Sequence, residues 1–292
     1  MPDNQPFVSP LNPPGFFPLD DHSVLALEGP EAIAFAHAQF SSDVTALAVG
    51  HWQWSTWLTA KGRVLAVFAL LRTGEHALRL VLPDVDAAEL ADALRRYVFR
   101  RKVTLAARPD LRVTGAFAAP AQARGPLLAG DEANGLELDY GTAALPRTLR
   151  LAGGPGAIEP ASTAAWSVAD LRLGLPRLPP SQREQWTPQQ LALDRLAAFS
   201  VKKGCYPGQE IVARTHFLGR AKRELLLLQV ADAAEPGAAV LQAGQAIGSL
   251  ASAAGRSPRY ALAVVPLERE DAPLQVADTP VRVEPFVEGF AR

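Results

Sequence analysis

The chain has 292 residues, of which 48% are hydrophobic and 20% charged, and its net charge is −1. This length is typical of about two domains with a substantial core, and the balanced charge demands neither an acidic partner nor nucleic acid. The single cysteine, Cys205, excludes an internal disulfide and a zinc site built from several cysteines. The sequence shows neither a signal-peptide pattern nor an apolar run of ~20 residues. We therefore expect a cytoplasmic protein without a membrane segment.

The first part of the chain alternates between helical and strand patterns. Residues 1–18 are rich in proline and polar residues and predict a flexible lead-in. Apolar residues at helical spacing predict helices over 29–40 and 86–99, whereas 51–71 predicts a hairpin that turns at Lys61–Gly62. Further strands are predicted over 76–83, 102–107 and 111–117. This order favours an α+β fold, in which an antiparallel sheet carries helices on one face.

The second part of the chain, from residue 118 onward, predicts an architecture that differs from the α+β pattern of the first part. Residues 118–165 are dominated by Ala, Gly and Pro and predict a subdomain junction within a region spanning 19–220. Residues 187–196 predict a helix, because Thr187, Pro188 and Gln190 have the spacing of a capping box. After residue 220, short strand patterns alternate with Gly and Pro, which predicts a β-barrel or sandwich over 221–292.

The lone cysteine lies in the segment KKGCYPGQE, residues 202–210. Tyr206-Pro207-Gly208-Gln209 has the form of a type II turn, which would hold the thiol in a fixed place. Residues 210–214 begin either a short helix or a strand. A helix there, together with Lys202 and Lys203, would favour the thiolate, whereas the Glu210 carboxylate would oppose it. The alternative interpretation is a buried small hydrophobe beside an ordinary turn.

Nucleophilic chemistry at Cys205 would also need a base. The sequence places none of the five histidines beside the thiol: His22, His37, His51, His76 and His216. An iron–sulfur cluster bound by this chain alone is disfavoured, because such clusters usually take four thiolates. A cluster shared with another protein or a small thiol remains open.

Two other patterns are less specific than the cysteine motif, and each allows two interpretations. Basic groups over 95–102 and 202–223 would bind an anion such as an RNA backbone, or they form an ordinary solvated surface. Trp52, Trp54 and Trp57 would stack on a flat heterocycle, or they pack in the core of the sheet.

The segment Lys203–Glu210 (KGCYPGQE) resembles the signature K-G-C-[FY]-x-G-Q-E of the YgfZ family. These are folate-binding proteins related to the T-protein, the aminomethyltransferase of the glycine cleavage system. Residues 25–47, 54–68 and 170–176 are also similar to family segments. The resemblance covers roughly residues 20–265.

The resemblance implies a T-protein-like, three-lobed α+β fold around a central cleft, ending in a β-barrel. It implies tetrahydrofolate in that cleft, and a role in assembling or repairing iron–sulfur clusters of selected enzymes, tRNA-modifying ones included. The implied partners are iron–sulfur enzymes or cluster-assembly proteins, with tRNA contacts through the basic groups. The implied functional thiol is Cys205. The other motif residues are Lys203, Gly204, Tyr206, Gly208, Gln209 and Glu210, and the folate-cleft candidates are Asp43, Lys61, Gly62, Arg63 and Arg172.

One residue departs from the family pattern. Arg172 stands where relatives often carry an acidic residue, and a guanidinium cannot accept hydrogen bonds from a pterin. The segment that carries the catalytic aspartate of the aminomethyltransferases has no clear match, which argues against aminomethyl transfer. Two alternatives stay open, a folate-dependent one-carbon transferase and a non-catalytic module that binds tRNA or a protein.

Overall fold

The computed structural model describes residues 15–152, 160–217, 219, 222–231 and 234–292, with the side chains of residues 160 and 161 left out. This part of the chain forms three antiparallel sheets and four α-helices. The helices are α1 (Ala32–Gln39), α2 (Ala87–Arg95), α3 (Pro160–Arg172) and α4 (Gln209–Phe217). A 3-10 turn covers Pro180–Gln182. The mixture of sheets and helices confirms the predicted α+β class.

The strands are numbered in chain order. The first ten are β1 (Phe17–Pro18), β2 (Ser23–Glu28), β3 (His51–Leu58), β4 (Val64–Gly74), β5 (Ala77–Leu82), β6 (Thr104–Ala107), β7 (Arg112–Ala116), β8 (Ala129–Asp131), β9 (Gly135–Asp139) and β10 (Thr148–Ala152). The last seven are β11 (Arg223–Val230), β12 (Ala239–Gln242), β13 (Gln245–Gly255), β14 (Arg259–Pro266), β15 (Leu274–Val276), β16 (Thr279–Pro280) and β17 (Arg282–Glu284).

The first sheet has the strand order β3-β4-β5-β2-β6. Helices α1 and α2 cover one face, where Phe35, Leu90 and Leu94 are buried with the inward residues of β4 and β5. This arrangement confirms the predicted sheet with helices on one face. Strand β2 pairs with both β5 and β6, although the sequence patterns had not indicated a strand there.

The second sheet has the order β1-β7-β10-β9-β8. Three of its strands, β8, β9 and β10, come from the region 118–165, and residues 153–159 of that region lie outside the described residues. The predicted lead-in also lies outside them up to residue 14. Its last two residues, Phe17–Pro18, form β1 and pair with β7.

The third sheet is a seven-stranded barrel with the order β16-β15-β12-β13-β14-β11-β17. It has its own small core, and it also contributes Leu225, Leu262 and Val264 to a larger core shared with the other sheets. The barrel begins at Arg223 and confirms the predicted all-β C-terminal part.

Aromatic side chains from several elements meet in that shared core. Trp52 and Trp54 of β3 pack against Tyr140, and Tyr140 stacks on Trp166 of α3 at 5.7 Å between ring centroids. The C-terminal segment, residues 285–292, adds Phe290, which is 2% exposed. These tryptophans are therefore core residues. Trp57 points to the other face of β3 and joins the core beneath α1 and α2.

The helix predicted over 187–196 is wrong. The capping-box hydrogen bonds do form, from Thr187 N to Gln190 Oε1 at 3.0 Å and from Gln190 N to Thr187 Oγ1 at 3.3 Å. The chain then leaves the helical path, because Ala192 and Ala197 adopt φ values of +48° and +55°. Leu191, Leu193 and Leu196 of this segment are buried in the shared core, so tertiary packing overrides the local signal.

Candidate functional site

The thiol loop, residues 200–208, contains the turn that the sequence predicts. Gln209 N donates to Tyr206 O at 3.1 Å, and Gly208 has a φ of +80°, as the third position of a type II turn requires. Helix α4 begins at Gln209 directly after the turn. The predicted turn is confirmed, and of the two alternatives for the segment after it, a helix or a strand, the helix forms.

The turn rests on the hairpin that joins β3 and β4. A Cβ added at Gly208 would lie 2.5 Å from the Cα of Gly62 and 2.6 Å from Thr59 O. Gly62 itself has a φ of +68°. Only glycine pairs allow two backbones to approach so closely. The structure thus brings together two motifs that are about 140 residues apart, and the hairpin turn at Gly62 supports the thiol loop.

Lys203 anchors the thiol loop to the end of α1. Its side chain is buried, with the residue 7% exposed, and Nζ donates to the carbonyl oxygens of His37, Phe40 at 2.5 Å and Ser42 at 3.1 Å. The last carbonyls of a helix have no partner within the helix, so a lysine donor stabilises this end. Burial lowers the pKa of Lys203 from 10.5 to about 8, and the nearby carboxylate of Asp43 opposes this shift.

Further hydrogen bonds fasten the same loop. Tyr206 Oη donates to Ser200 O at 3.1 Å, and Gln209 Nε2 donates to Lys203 O at 3.0 Å. Ser200 N in turn donates to Ser41 O at 2.8 Å. Burial raises the pKa of Tyr206 to about 12. The lysine, the tyrosine, the second glycine and the glutamine of the motif therefore hold the loop in place.

Three motif residues remain at the surface. Cys205 is a free, exposed thiol, and Gly204 and Glu210 are exposed on either side of the turn. A Cβ added at Gly204 would meet no atom within 4 Å apart from its two chain neighbours, so the space beside this glycine is open. The exposure of Cys205 excludes the alternative of a buried hydrophobe. The fastened loop holds the thiol at the surface.

A polar cluster adjoins the anchored lysine. Asp43 Oδ1 accepts hydrogen bonds from Thr45 Oγ1 at 2.7 Å, Thr45 N at 3.1 Å and Ala46 N at 3.2 Å, and the first of these contributes most to its lowered pKa. His37 Nδ1 lies 3.4 Å from the same oxygen. Burial and the charge of Lys203 lower the pKa of His37, so the imidazole is predominantly neutral at pH 7.

His37 is the histidine that the structure brings to the anchor of the thiol loop, and the sequence had offered it only as one of five candidates. A helical position two residues before the end of α1 gives no signal that a lysine about 165 residues later will cap that end. His216, the candidate nearest in sequence, lies on α4 and borders a cavity of about 510 Å³ together with Val201 and Phe199.

The folate-cleft candidates lie in three places. Asp43 lies beside Lys203, and Lys61-Gly62-Arg63 lies under Gly208, with Arg63 Nη1 donating to Gln185 O at 2.7 Å. Arg172 ends α3, and its carbonyl oxygen accepts a hydrogen bond from Val287 N of the C-terminal segment at 2.8 Å. The contacts of its backbone therefore involve the chain terminus.

Hydrogen-bond acceptors decide whether a reduced pterin fits these residues. The side chain of Asp43 is 40% exposed, and its lowered pKa keeps it ionised. Its Oδ1 takes the local hydrogen bonds, whereas Oδ2 has no hydrogen-bond partner among the described residues. A carboxylate oxygen of this kind can accept from the amino group and ring N–H of a pterin, whereas Arg172 can only donate. The free carboxylate oxygen of Asp43 is an acceptor that fits the donors of a pterin.

Two features do not occur among the described residues. No group of three His, Cys, Asp or Glu side chains that could hold a metal ion occurs in the described part of the chain. Across the same ranges, no helix is long and apolar enough to cross a membrane.

Three sheets that share one core, with a C-terminal barrel, define a known class of fold. The structure resembles that of aminomethyltransferase T of the glycine cleavage system from Bartonella henselae, with a TM-score of 0.73, 16% identity and coverage of 95% of this chain and 86% of the other. Residues 222–287 also match the family model for the CAF17 C-terminal beta-barrel domain. The chain therefore has the aminomethyltransferase T fold.

Relatives in sequence show which family within this fold class the chain belongs to. The chain is 30% identical to the tRNA-modifying protein YgfZ of Klebsiella pneumoniae, over 78% of this chain and 75% of the relative. It is 28% identical to the YgfZ protein of Cronobacter sakazakii with the same coverage, and 31% identical to an uncharacterized protein of Haemophilus influenzae over 74% and 73%. This protein belongs to the YgfZ family.

Proposed function

We propose that this protein is a tetrahydrofolate-binding accessory factor that uses Cys205 to assemble or repair iron–sulfur clusters in selected enzymes, tRNA-modifying enzymes among them. The observation that carries the proposal is the exposed thiol on a loop fastened by Lys203, Tyr206 and Gly208. The relatives that share the family are named tRNA-modifying proteins, which supports clients of that kind.

The cluster is cargo in this proposal. Cys205 supplies one thiolate, and a cluster usually takes four, so the client enzyme or a small thiol supplies the others. A ligand that serves in transfer must be reachable by the acceptor protein. The exposure of Cys205 supports this role, because a client protein can reach an exposed sulfur.

Folate binding is proposed at the polar cluster of Asp43, His37 and the anchored end of α1. Asp43 would accept hydrogen bonds from the pterin and orient it. A reduced folate supplies a polar pterin and one-carbon carrier chemistry when it is bound. No step of the proposed cluster chemistry runs through it.

Calorimetric titration with tetrahydrofolate tests the binding site. We expect saturable binding by the wild type, and about tenfold weaker binding by Asp43→Asn because an ionised acceptor is lost. Asp271→Asn, which removes an exposed carboxylate on the barrel, is the matched control and should bind as the wild type does. The absence of saturable binding by the wild type would overturn the folate part of the proposal and leave the thiol part standing.

A further inference from the structure

The segment that follows α2 has the sequence RRYVFRRK, residues 95–102, and is called the basic aromatic loop below. Its path is fixed at both ends. Val98 packs against the core beneath α1 and α2, and Arg101 N donates to Val98 O at 2.9 Å. Lys102 N donates to Glu31 Oε2 at 2.7 Å at the start of the next strand. The loop is therefore a built feature of the surface.

The tip of this loop displays an aromatic ring to solvent. Phe99 is 87% exposed and has a φ of +47°, a conformation that bulky side chains rarely adopt. Tyr97, two residues earlier, is 42% exposed. A strained backbone that holds a large apolar ring out of the core contributes nothing to folding, and such outliers are typical of binding sites.

Cations surround the two rings. Arg100 lies over the ring of Phe99 at 5.4 Å, and Arg96 lies over the ring of Tyr97 at 5.2 Å. Arg95 forms an ion pair with Asp92. In the part of the chain that the structure describes, no carboxylate lies within 4.0 Å of the side-chain nitrogens of the other four cations: Arg96, Arg100, Arg101 and Lys102. The patch therefore carries unneutralised positive charge beside exposed rings.

We propose that the basic aromatic loop binds unpaired nucleotides of RNA. Phe99 stacks on an exposed base, because every base has a flat π face, and the surrounding cations contact the phosphates. Charge alone would fit any polyanion, and an exposed ring alone would fit any apolar partner. The alternation of rings and cations on one fixed loop fits an unpaired strand, whose bases are free to stack. A duplex hides those faces.

This inference names a partner surface for the proposed function, and it rests on this loop rather than on the thiol or the folate site. Fluorescence anisotropy with a labelled, unstructured RNA of about ten nucleotides tests it directly. We expect saturable binding at low salt, with a slope of log K against log salt of about −3 for four phosphate contacts. A blunt RNA duplex of the same length should bind more weakly.

Variants separate stacking from charge. Phe99→Ala should weaken binding about tenfold, whereas Phe99→Trp should retain it, since a larger ring still stacks. Leu267→Ala, at a position 51% exposed on the barrel, is the matched apolar control. Replacing Arg100 and Arg101 together by alanine should flatten the salt dependence by about one unit, and Arg256→Ala, an exposed arginine of the barrel, should not.

Thermal unfolding of each variant confirms that its fold is retained. The proposal is overturned if the wild type shows no saturable RNA binding at low salt, if Phe99→Ala binds as the wild type does, or if the duplex is preferred. Cys205→Ala should retain full RNA affinity, because the thiol takes no part. RNA binding and the thiol function can therefore fail independently.

Discussion

Gly208 lies with its α-carbon against the backbone of Gly62, so that a Cβ at Gly208 would be 2.5 Å from the Cα of Gly62. This contact joins the thiol loop to the hairpin between β3 and β4. The two glycines of the motif KGCYPGQE therefore have different physical requirements. Gly208 needs both a φ of +80° and contact space, whereas a Cβ at Gly204 would meet nothing within 4 Å.

Substitution of each motif glycine by alanine should separate these requirements. Gly208→Ala places a methyl group against a backbone and strains a left-handed conformation, so we expect a loss of about 3 kcal/mol in the free energy of unfolding. Gly204→Ala should unfold within about 0.5 kcal/mol of the wild type. Urea denaturation followed by tryptophan fluorescence measures both. Equal stability of the two variants would contradict the packing described here.

A bulkier change at Gly204 tests access to the thiol. Gly204→Val should leave the free energy of unfolding nearly unchanged, because the added atoms point into open space. It should reduce client iron–sulfur activity in cells, because the added isopropyl group lies next to Cys205 and would obstruct a partner that docks there. Thr279→Val, at an exposed position on the barrel edge, is the control and should retain activity. Full activity of Gly204→Val would show that no partner docks over the thiol.

The lowered pKa of Lys203 makes the free energy of unfolding of the protein depend on pH. Its pKa is about 8 in the folded protein and 10.5 when unperturbed, so the unfolded chain binds more protons between these values. Protons bound by the unfolded state make the free energy of unfolding rise with pH. Lys203→Met lacks this titration and leaves the three carbonyls at the end of α1 without their donor.

We therefore expect Lys203→Met to be less stable than the wild type by about 2 kcal/mol at neutral pH. The difference should grow by roughly 2 kcal/mol as the pH rises to about 10. Lys202→Met, the exposed neighbour, should show neither effect. A difference that shrinks with rising pH would contradict the buried position of the Lys203 ammonium group.

The C-terminal segment completes the shared core. Phe290 packs at 5.0 Å from Trp54 and 5.5 Å from Tyr140, and its carbonyl accepts a hydrogen bond from Trp54 Nε1 at 2.9 Å. Phe290→Ala should cost about 3–5 kcal/mol and should alter the tryptophan emission spectrum. Phe217→Ala, at a position 66% exposed, should leave both unchanged. Wild-type stability of Phe290→Ala would show that the segment does not dock.

Local patterns in the sequence predicted much of the fold. The alternating leucines of β5, the helical leucines of α2 and the strand pattern over 223–230 each predict the element that forms there. The turn before Gln209 was predictable because proline and glycine restrict the backbone directly. Strand β2 and helix α3 were not predicted. The residues of β2 are buried on both faces, so they do not alternate, and α3 follows an Ala- and Gly-rich stretch without a clear start signal.

The assembly of the site depends on contacts that no local pattern encodes. The sequence predicts that Lys203 acts on the thiol, and this stays a prediction, whereas the structure shows its ammonium group bound to carbonyls of residues 37–42. No local pattern indicated either that the turn at Lys61-Gly62-Arg63 contacts Gly208 and supports the thiol loop. Both roles arise from residues more than 100 positions apart in the chain, so only the tertiary structure reveals them.

Complementation with a Cys205 variant tests the central claim most directly. In a strain that lacks this protein, Cys205→Ala should fail to restore the activity of iron–sulfur enzymes that modify tRNA, although its thermal unfolding matches the wild type because the thiol is exposed. The wild type and Thr279→Ala should restore that activity in full. Full restoration by Cys205→Ala would contradict the account, since the loop would then hold a thiol that has no function.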